Sequence, residues 1–146
     1  MKKLFTALLV FASTWSFAQE YKVITTVESI VPMGIGRSRI IENKTEMNTD
    51  QYTTDRTDGK DGGKQRGVKR KDLKIDEFAE TKLLNFYSGV GINFQNIASN
   101  DAMIGAKMNE LAEQGWELVF VTSGVESNAG DGDGQGIFIT RYIFKR

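Results

Sequence analysis

The chain of 146 residues contains no cysteine and no histidine. These absences exclude the Ser-His-Asp and Cys-His nucleophile arrangements, thiol redox chemistry and zinc sites built from histidine or cysteine. No disulfide can stabilise the fold, so packing alone must do so. Asp76 and Glu80 would share one face of a predicted helix and so could not flank a cleft as glycosidase carboxylates do. We therefore expect a non-catalytic protein without a cofactor.

The first 18 residues have the pattern of a secretory signal peptide. Lys2 and Lys3 precede an apolar run from Leu4 to Phe17, and small residues, Ser16 and Ala18, occupy the positions that a signal peptidase reads. The apolar run is shorter than the roughly 20 residues that a helix needs to span a bilayer. We expect cleavage after Ala18 and a soluble mature chain, periplasmic or secreted. Without a cysteine to carry lipid, it would not be a lipoprotein.

The charge balance of the mature chain gives no reason to expect a nucleic-acid partner. Removing Lys2 and Lys3 leaves 17 of the 19 basic residues against 19 acidic ones, a net charge of about −2. A length of this order suits one domain with one hydrophobic core. We expect a single domain over residues 19–146, with no membrane span in it.

Alternating apolar and polar residues predict the strands of an α+β domain. Tyr21–Val31 is rich in β-branched residues, Arg37–Ile41 follows as a short second strand, and Trp116–Thr122 and Ile137–Phe144 alternate clearly. The last two form an antiparallel hairpin with a long glycine-rich link. Because both carry apolar side chains on each face, each face should be partly covered, by helices or by a partner subunit. The sequence predicts an antiparallel sheet of three or four strands.

Two helices are predicted to pack on this sheet. Residues 100–114 repeat apolar residues at helical spacing between the possible N-caps Ser99, Asn100 and Asp101 and the helix-ending Gly115. A second helix is predicted near residues 75–87. Between the second strand and that helix, residues 42–72 are polar and predict a mobile insertion.

The junction between the main helix and the next strand resembles a known family. Its run is Leu111-Ala112-Glu113-Gln114-Gly115-Trp116-Glu117-Leu118-Val119, and the chain also has an opening Tyr21-Lys22-Val23 strand and a closing Phe144-Lys145-Arg146. This order is similar to that of a small bacterial family, domain of unknown function 4177, although residues 32–99 intervene here. The resemblance implies an α+β fold and carries no established activity or site residues. From the residues themselves, we expect Trp116 to lie in the core.

A glycine-rich acidic loop at residues 128–136 is the candidate cation site. Asp131, Asp133 and Gln135 imitate the first half of a calcium loop, but position 12 of that pattern is Tyr142, where a bidentate glutamate is required. Two interpretations stay open: a solvated hairpin loop, or a weak calcium site.

A basic stretch between Lys60 and Lys74 is the candidate partner contact. It holds seven basic and two acidic residues but no aromatic residue on which a base could stack, which disfavours nucleic acid. Lys69, Arg70 and Lys71 are its three consecutive basic residues. Two functions remain: an interaction or structural module of the cell envelope, whose partner is an envelope protein or a second copy, or a small-ligand or calcium-binding domain using loop 128–136.

Overall fold

The computed structural model describes residues 19–30, 37–61, 68–125 and 137–146. Its strands are β1 (Tyr21–Ser29), β2 (Arg39–Asn43), β3 (Arg56–Thr57), β4 (Lys60–Asp61), β5 (Phe78–Lys82), β6 (Tyr87–Ser88), β7 (Gly91–Ile92), β8 (Glu117–Val125) and β9 (Ile137–Lys145). The helix α1 covers Phe94–Glu113, and a single 3-10 turn covers Thr49–Gln51. The predicted signal peptide and the cleavage site lie outside the described residues.

An antiparallel sheet of five strands organises the described part of the chain, in the order β5-β2-β1-β9-β8. The central strand β1 pairs with β2 on one side, where Thr25 faces Ile41, and with β9 along its whole length on the other. The predicted α+β class, the four predicted strands (now β1, β2, β8 and β9) and the β8–β9 pairing are confirmed. The predicted number of three or four strands is too small.

The fifth strand replaces the helix predicted near residues 75–87. β5 pairs with β2, so that Ile41 faces Glu80, and its side chains alternate between exposed and half-buried. The apolar residues of this segment are only loosely spaced for a helix, and a row of backbone groups on β2 is open to pairing. Local periodicity missed the strand because its partner lies about forty residues earlier in the chain.

The helix α1 begins earlier than predicted. Asn93 is its N-cap, and its side-chain oxygen accepts hydrogen bonds from the backbone N–H groups of Gln95 and Asn96 at 3.0 and 3.2 Å. The predicted caps Ser99, Asn100 and Asp101 lie inside the helix. The predicted stop at Gly115 is confirmed, since this glycine has a φ of 86°, a conformation that other residues rarely adopt.

The hydrophobic core lies between α1 and one face of the sheet. Its buried residues are Ile24, Ile40, Leu83, Leu111, Trp116 and Phe144. Ile104 and Met108 of the helix pack against this cluster. Burial of Trp116 confirms its predicted core position. Among the described residues, no helix is both long enough and apolar enough to cross a membrane.

The polar segment 42–72 contains a short hairpin that the sequence analysis missed. β3 and β4 pair across a two-residue turn, Asp58-Gly59, and both turn residues have positive φ, 53° and 71°. Positive φ at both positions defines a type I′ turn, for which Asp-Gly is a favoured pair. That dipeptide was the available signal.

Candidate interaction surfaces

β8 forms one edge of the sheet, and each of its nine residues is exposed. Within the described residues it pairs only with β9, so its other side presents unpaired backbone donors and acceptors. The exposed fraction is 59% for Phe120 and 60% for Val125, and Leu118, Val119 and Val121 are each at least 40% exposed. The strand carries a single charged residue, Glu117. It is a long, apolar and nearly uncharged edge.

The opposite edge, β5, is shorter and more polar. It has five residues, and two of them, Glu80 and Lys82, are charged and exposed. Glu80 forms an ion pair with Arg39, in which Nη1 of Arg39 lies 2.7 Å from Oε1 of Glu80. Charges and short length are the usual means by which edge strands resist pairing with other chains. A β-bulge between Leu118 and Phe120 is the one such feature of β8.

The sheet face opposite α1, which we call the open face, is also rich in apolar residues. Strand alternation and register place on it Val23, Thr25 and Val27 of β1, Arg39, Ile41 and Asn43 of β2, Phe78, Glu80 and Lys82 of β5, Phe120, Thr122 and Gly124 of β8, and Ile139, Arg141 and Ile143 of β9. Within the described residues, the helix covers only the other face, where Ile24 and Ile40 meet it. The sequence analysis predicted that each face of the sheet would be partly covered by helices or by a partner subunit. In the described residues, a helix covers one of the two faces.

A buried carboxylate gathers three lysines on the helix side of the sheet. Glu42 is 4% exposed, and its oxygens lie 3.2 Å from the Nζ atom of Lys22, 2.9 Å from that of Lys44 and 2.7 Å from that of Lys107. Lys107 also contacts Glu110 at 3.0 Å. β1, β2, the residue after β2 and α1 thus meet at one carboxylate. We call this set the Glu42 cluster.

The electrostatics of the Glu42 cluster strongly favour the ionised carboxylate. Burial by itself would raise the pKa of Glu42, but the ammonium groups of Lys107, Lys44 and Lys22 outweigh burial and lower the pKa to about 2. Burial would lower the pKa of Lys107, yet Glu42 and Glu110 raise it overall. The charges hold one another ionised, as in a structural ion network.

Trp116 lies beside this cluster. Two cationic side chains, Lys22 and Arg146, lie close to its ring. Lys22 Nζ is 5.1 Å from the ring centroid and Arg146 Cζ is 4.6 Å from it. Arg146 also contacts Glu20 at 2.6 Å. A cleft of about 450 Å³ opens here, lined by Glu20, Tyr21, Lys22, Val23, Asn43, Lys44, Thr45, Glu46, Gln114, Trp116 and Arg146. The lining includes two acidic residues, Glu20 and Glu46, and three basic ones, Lys22, Lys44 and Arg146. With charges this close to balance, the cleft has no strong preference for an anionic or a cationic ligand.

A second buried polar group fixes the segment between β5 and the helix. Asn100 is 1% exposed; its side-chain oxygen accepts from the backbone N–H of Leu84 at 2.8 Å, and its amide nitrogen donates to the Leu84 carbonyl at 2.8 Å. The same nitrogen donates to Glu28 Oε1 at 3.1 Å. Burial raises the pKa of Glu28, the Asn100 hydrogen bond opposes that rise, and the charge of Asp101 adds to it. These contacts are structural, since all are made inside the fold.

The basic candidates lie at a surface turn. Lys69, Arg70 and Lys71 are exposed, and the turn is closed by a 2.9 Å hydrogen bond from the Asp72 N–H to the Lys69 carbonyl. The Tyr52 hydroxyl donates to the Asp72 carbonyl at 2.7 Å. The turn precedes β5, which is the edge strand opposite β8. Lys69, Arg70 and Lys71 are therefore connected to one edge of the sheet, and the exposed apolar strand forms the other.

The cation candidates Asp131, Asp133 and Gln135 lie outside the described residues, so the calcium alternative stays a prediction. Of the carboxylates considered earlier, Glu80 lies on β5 and Asp76 precedes that strand. Among the residues described, no group of three or more histidine, cysteine, aspartate or glutamate side chains is placed to hold a metal ion.

Comparisons with known proteins do not assign this chain to a family. The chain matches no protein-family model, and no curated protein or solved structure matches it significantly. The similarity to domain of unknown function 4177 therefore stays a prediction, and the functional argument depends on the surfaces described above.

Proposed function

We propose that this chain is a non-catalytic interaction module of the bacterial cell envelope, whose partner adds a strand along the β8 edge. One observation carries the proposal: all nine residues of β8 are exposed, and the strand is paired on one side only within the described residues. The envelope location is supported by the signal-peptide pattern of residues 1–18.

Strand addition suits the chemistry of this edge. The backbone of an incoming strand would satisfy the unpaired N–H and C=O groups of β8, while side chains on alternate positions provide selectivity. Leu118 and Val121 point toward the helix side of the sheet, and Phe120 points toward the open face. A partner strand with apolar residues on both faces would therefore cover exposed area on both sides of β8.

The basic turn supplies the second element of the proposal. Lys69, Arg70 and Lys71 carry three like charges at an exposed turn, which would attract an acidic partner and be screened by salt. Backbone pairing at β8 would provide affinity, and this charge would provide selection. The two elements are separable because they lie toward opposite edges of the sheet.

Lysines placed on β8 should abolish partner capture. A Val119→Lys, Val121→Lys double variant puts charges on an edge whose residues are 41% and 45% exposed, so pairing is blocked while the fold is retained. The measurement is chemical cross-linking and affinity purification of the tagged full chain from its native envelope and medium. We expect the yield of a stoichiometric partner to fall about tenfold or more.

A matched control places the charge on the other edge. Phe78→Lys changes a side chain that is 49% exposed on β5, and it should leave capture intact. A Lys69→Gln, Arg70→Gln, Lys71→Gln variant tests the basic turn, and its capture should weaken most at low salt. Equal capture by wild type and by the β8 variant would contradict the proposal.

A further inference from the structure

We propose that Gln19 becomes the first residue of the exported chain and there cyclises to pyroglutamate, which blocks the N-terminus. The inference rests on the envelope location in the proposed function, because both require cleavage after Ala18. It goes beyond that function, since it concerns a modification site and not the β8 edge. Cleavage and cyclisation are separate steps, so cleavage can occur without cyclisation.

An N-terminal glutamine carries both groups that the cyclisation requires. The α-amino nitrogen attacks the side-chain carbonyl carbon Cδ, the new amide bond closes a lactam ring, and the Cδ–Nε2 bond breaks to release ammonia. An α-amino group ordinarily has a pKa of about 8, so part of it is uncharged and nucleophilic near neutral pH. Because both groups belong to one residue, no co-reactant is required. In the precursor the same nitrogen is part of a peptide bond, so cyclisation can only follow cleavage.

The structure leaves Gln19 free to react. The residue is exposed, it precedes β1, and it makes no hydrogen bond or ion pair with any residue that the structure describes. A side chain without partners can rotate between its staggered conformers until Cδ lies beside its own amino nitrogen. No contact of the fold has to break for the ring to close.

The backbone pairing of the sheet starts at the next residue. The Glu20 N–H donates to the Arg146 carbonyl at 3.0 Å, and the Glu20 carbonyl accepts from the Arg146 N–H at 2.9 Å. Their side chains form an ion pair at 2.6 Å. Cyclisation consumes none of these groups, because the lactam uses only the amine and the side chain of Gln19. The modified residue therefore lies in solvent, immediately before the paired part of the chain.

A blocked N-terminus protects the strand on which the sheet depends. β1 is the central strand, and only Gln19 and Glu20 lie between the predicted cleavage site and its first residue, Tyr21. Lys22, whose Nζ atom lies 3.2 Å from Glu42, is the next residue along the chain. Proteolysis concentrates at chain termini. An aminopeptidase requires a free α-amino group, so the lactam prevents it from trimming the chain toward β1.

The test is the intact mass of the mature chain, purified at neutral pH from its native envelope and medium. We expect residues 19–146, lighter than the uncyclised chain by the mass of one ammonia. Tandem mass spectrometry of the N-terminal peptide should place the loss at Gln19. The matched control is Gln19→Asn, whose side chain is one methylene shorter and would have to close a smaller, strained ring. This variant should keep its free amine and its full mass.

A broad-specificity aminopeptidase provides a second, independent measurement. Wild type should keep its first residue during an incubation in which Gln19→Asn loses its own, since only the variant has a free amine. Position 19 is exposed and lies outside the sheet, so the two chains should unfold at the same urea concentration. A difference in trimming would then reflect the lactam and not the stability of the fold.

Three results would overturn the inference. A chain of residues 19–146 with its full mass would show cleavage without cyclisation, and the proposed envelope location would stand. A chain that begins at any residue other than Gln19 would show that the predicted cleavage site is also wrong. Equal trimming of wild type and Gln19→Asn would show that the N-terminus is not blocked. Partner capture at the β8 edge is a separate measurement, so none of these results decides it.

Discussion

Replacing Asn100 with alanine is expected to lower the free energy of unfolding by roughly 3 kcal/mol, because three part-buried hydrogen bonds are lost together. The backbone N–H and C=O of Leu84 are each bonded to the Asn100 side chain at 2.8 Å, and Glu28 accepts a third hydrogen bond from it. A typical intramolecular hydrogen bond contributes about 0.5–1.5 kcal/mol to stability. Urea unfolding followed by circular dichroism measures the change.

Asn109→Ala is the matched control for this substitution. Asn109 is exposed on the same helix, and alanine has the higher helix propensity, so the control should be neutral or slightly stabilising. Asn100→Asp separates the hydrogen bonds from the charge: it places a second carboxylate beside Glu28, so this variant should regain stability as the pH falls and the pair takes up a proton. If Asn100→Ala lowers the free energy of unfolding no more than Asn109→Ala does, the hydrogen bonds between Asn100 and the Leu84 backbone contribute little to stability.

Replacing Glu42 with glutamine is expected to lower the free energy of unfolding by roughly 3 kcal/mol at neutral pH. The substitution keeps the shape of the side chain but removes the charge that holds Lys22, Lys44 and Lys107 together. The Lys107 side chain is 16% exposed, so its ammonium group would remain mostly buried with only Glu110 beside it. Glu113→Gln, at an exposed position on the helix, should have almost no effect.

The Glu42 cluster also makes the stability of the wild type depend on acid. A folded pKa of about 2, below the ordinary 4.5, means that the unfolded chain takes up the proton first as the pH falls. The stabilisation is complete above about pH 4.5 and is lost as the pH falls from there through about 2. We expect the difference between wild type and Glu42→Gln to shrink over that range in urea unfolding experiments. A difference that stays constant down to pH 2 would contradict the assigned pKa.

The sequence predicted best those elements whose signal is local. Alternation in Tyr21–Ser29 and Ile137–Lys145 and the stop at Gly115 each depend on residues within one segment, and the structure confirms them. The strand β5 was missed because it forms by pairing with β2, and pairing energy is not encoded in the period of one segment. Asn100 was interpreted as a cap, since asparagine near a helix start usually acts there. In the structure it faces Leu84, sixteen residues earlier.

The candidate surfaces depended even more on tertiary structure. Apolar residues on both faces of β8 were visible in the sequence, but the sequence did not indicate that β8 lies at an edge or that the helix leaves it exposed. The Glu42 cluster joins residues from separate segments whose spacing carries no motif. The basic turn at Lys69, Arg70 and Lys71 was found from composition, and the structure shows it to be exposed.

Composition alone determined which chemistry is unavailable: with no cysteine and no histidine, thiol chemistry, histidine-based catalysis and disulfide stabilisation are excluded whatever the fold. Local patterning determined where most strands and the main helix form. Only the tertiary structure decided the strand order, the open face, the exposed β8 edge and the meeting of three lysines at Glu42. The physical reason is that periodicity fixes which side of a segment is apolar, whereas strand pairing and helix docking between distant segments fix which residues become neighbours and which stay in water.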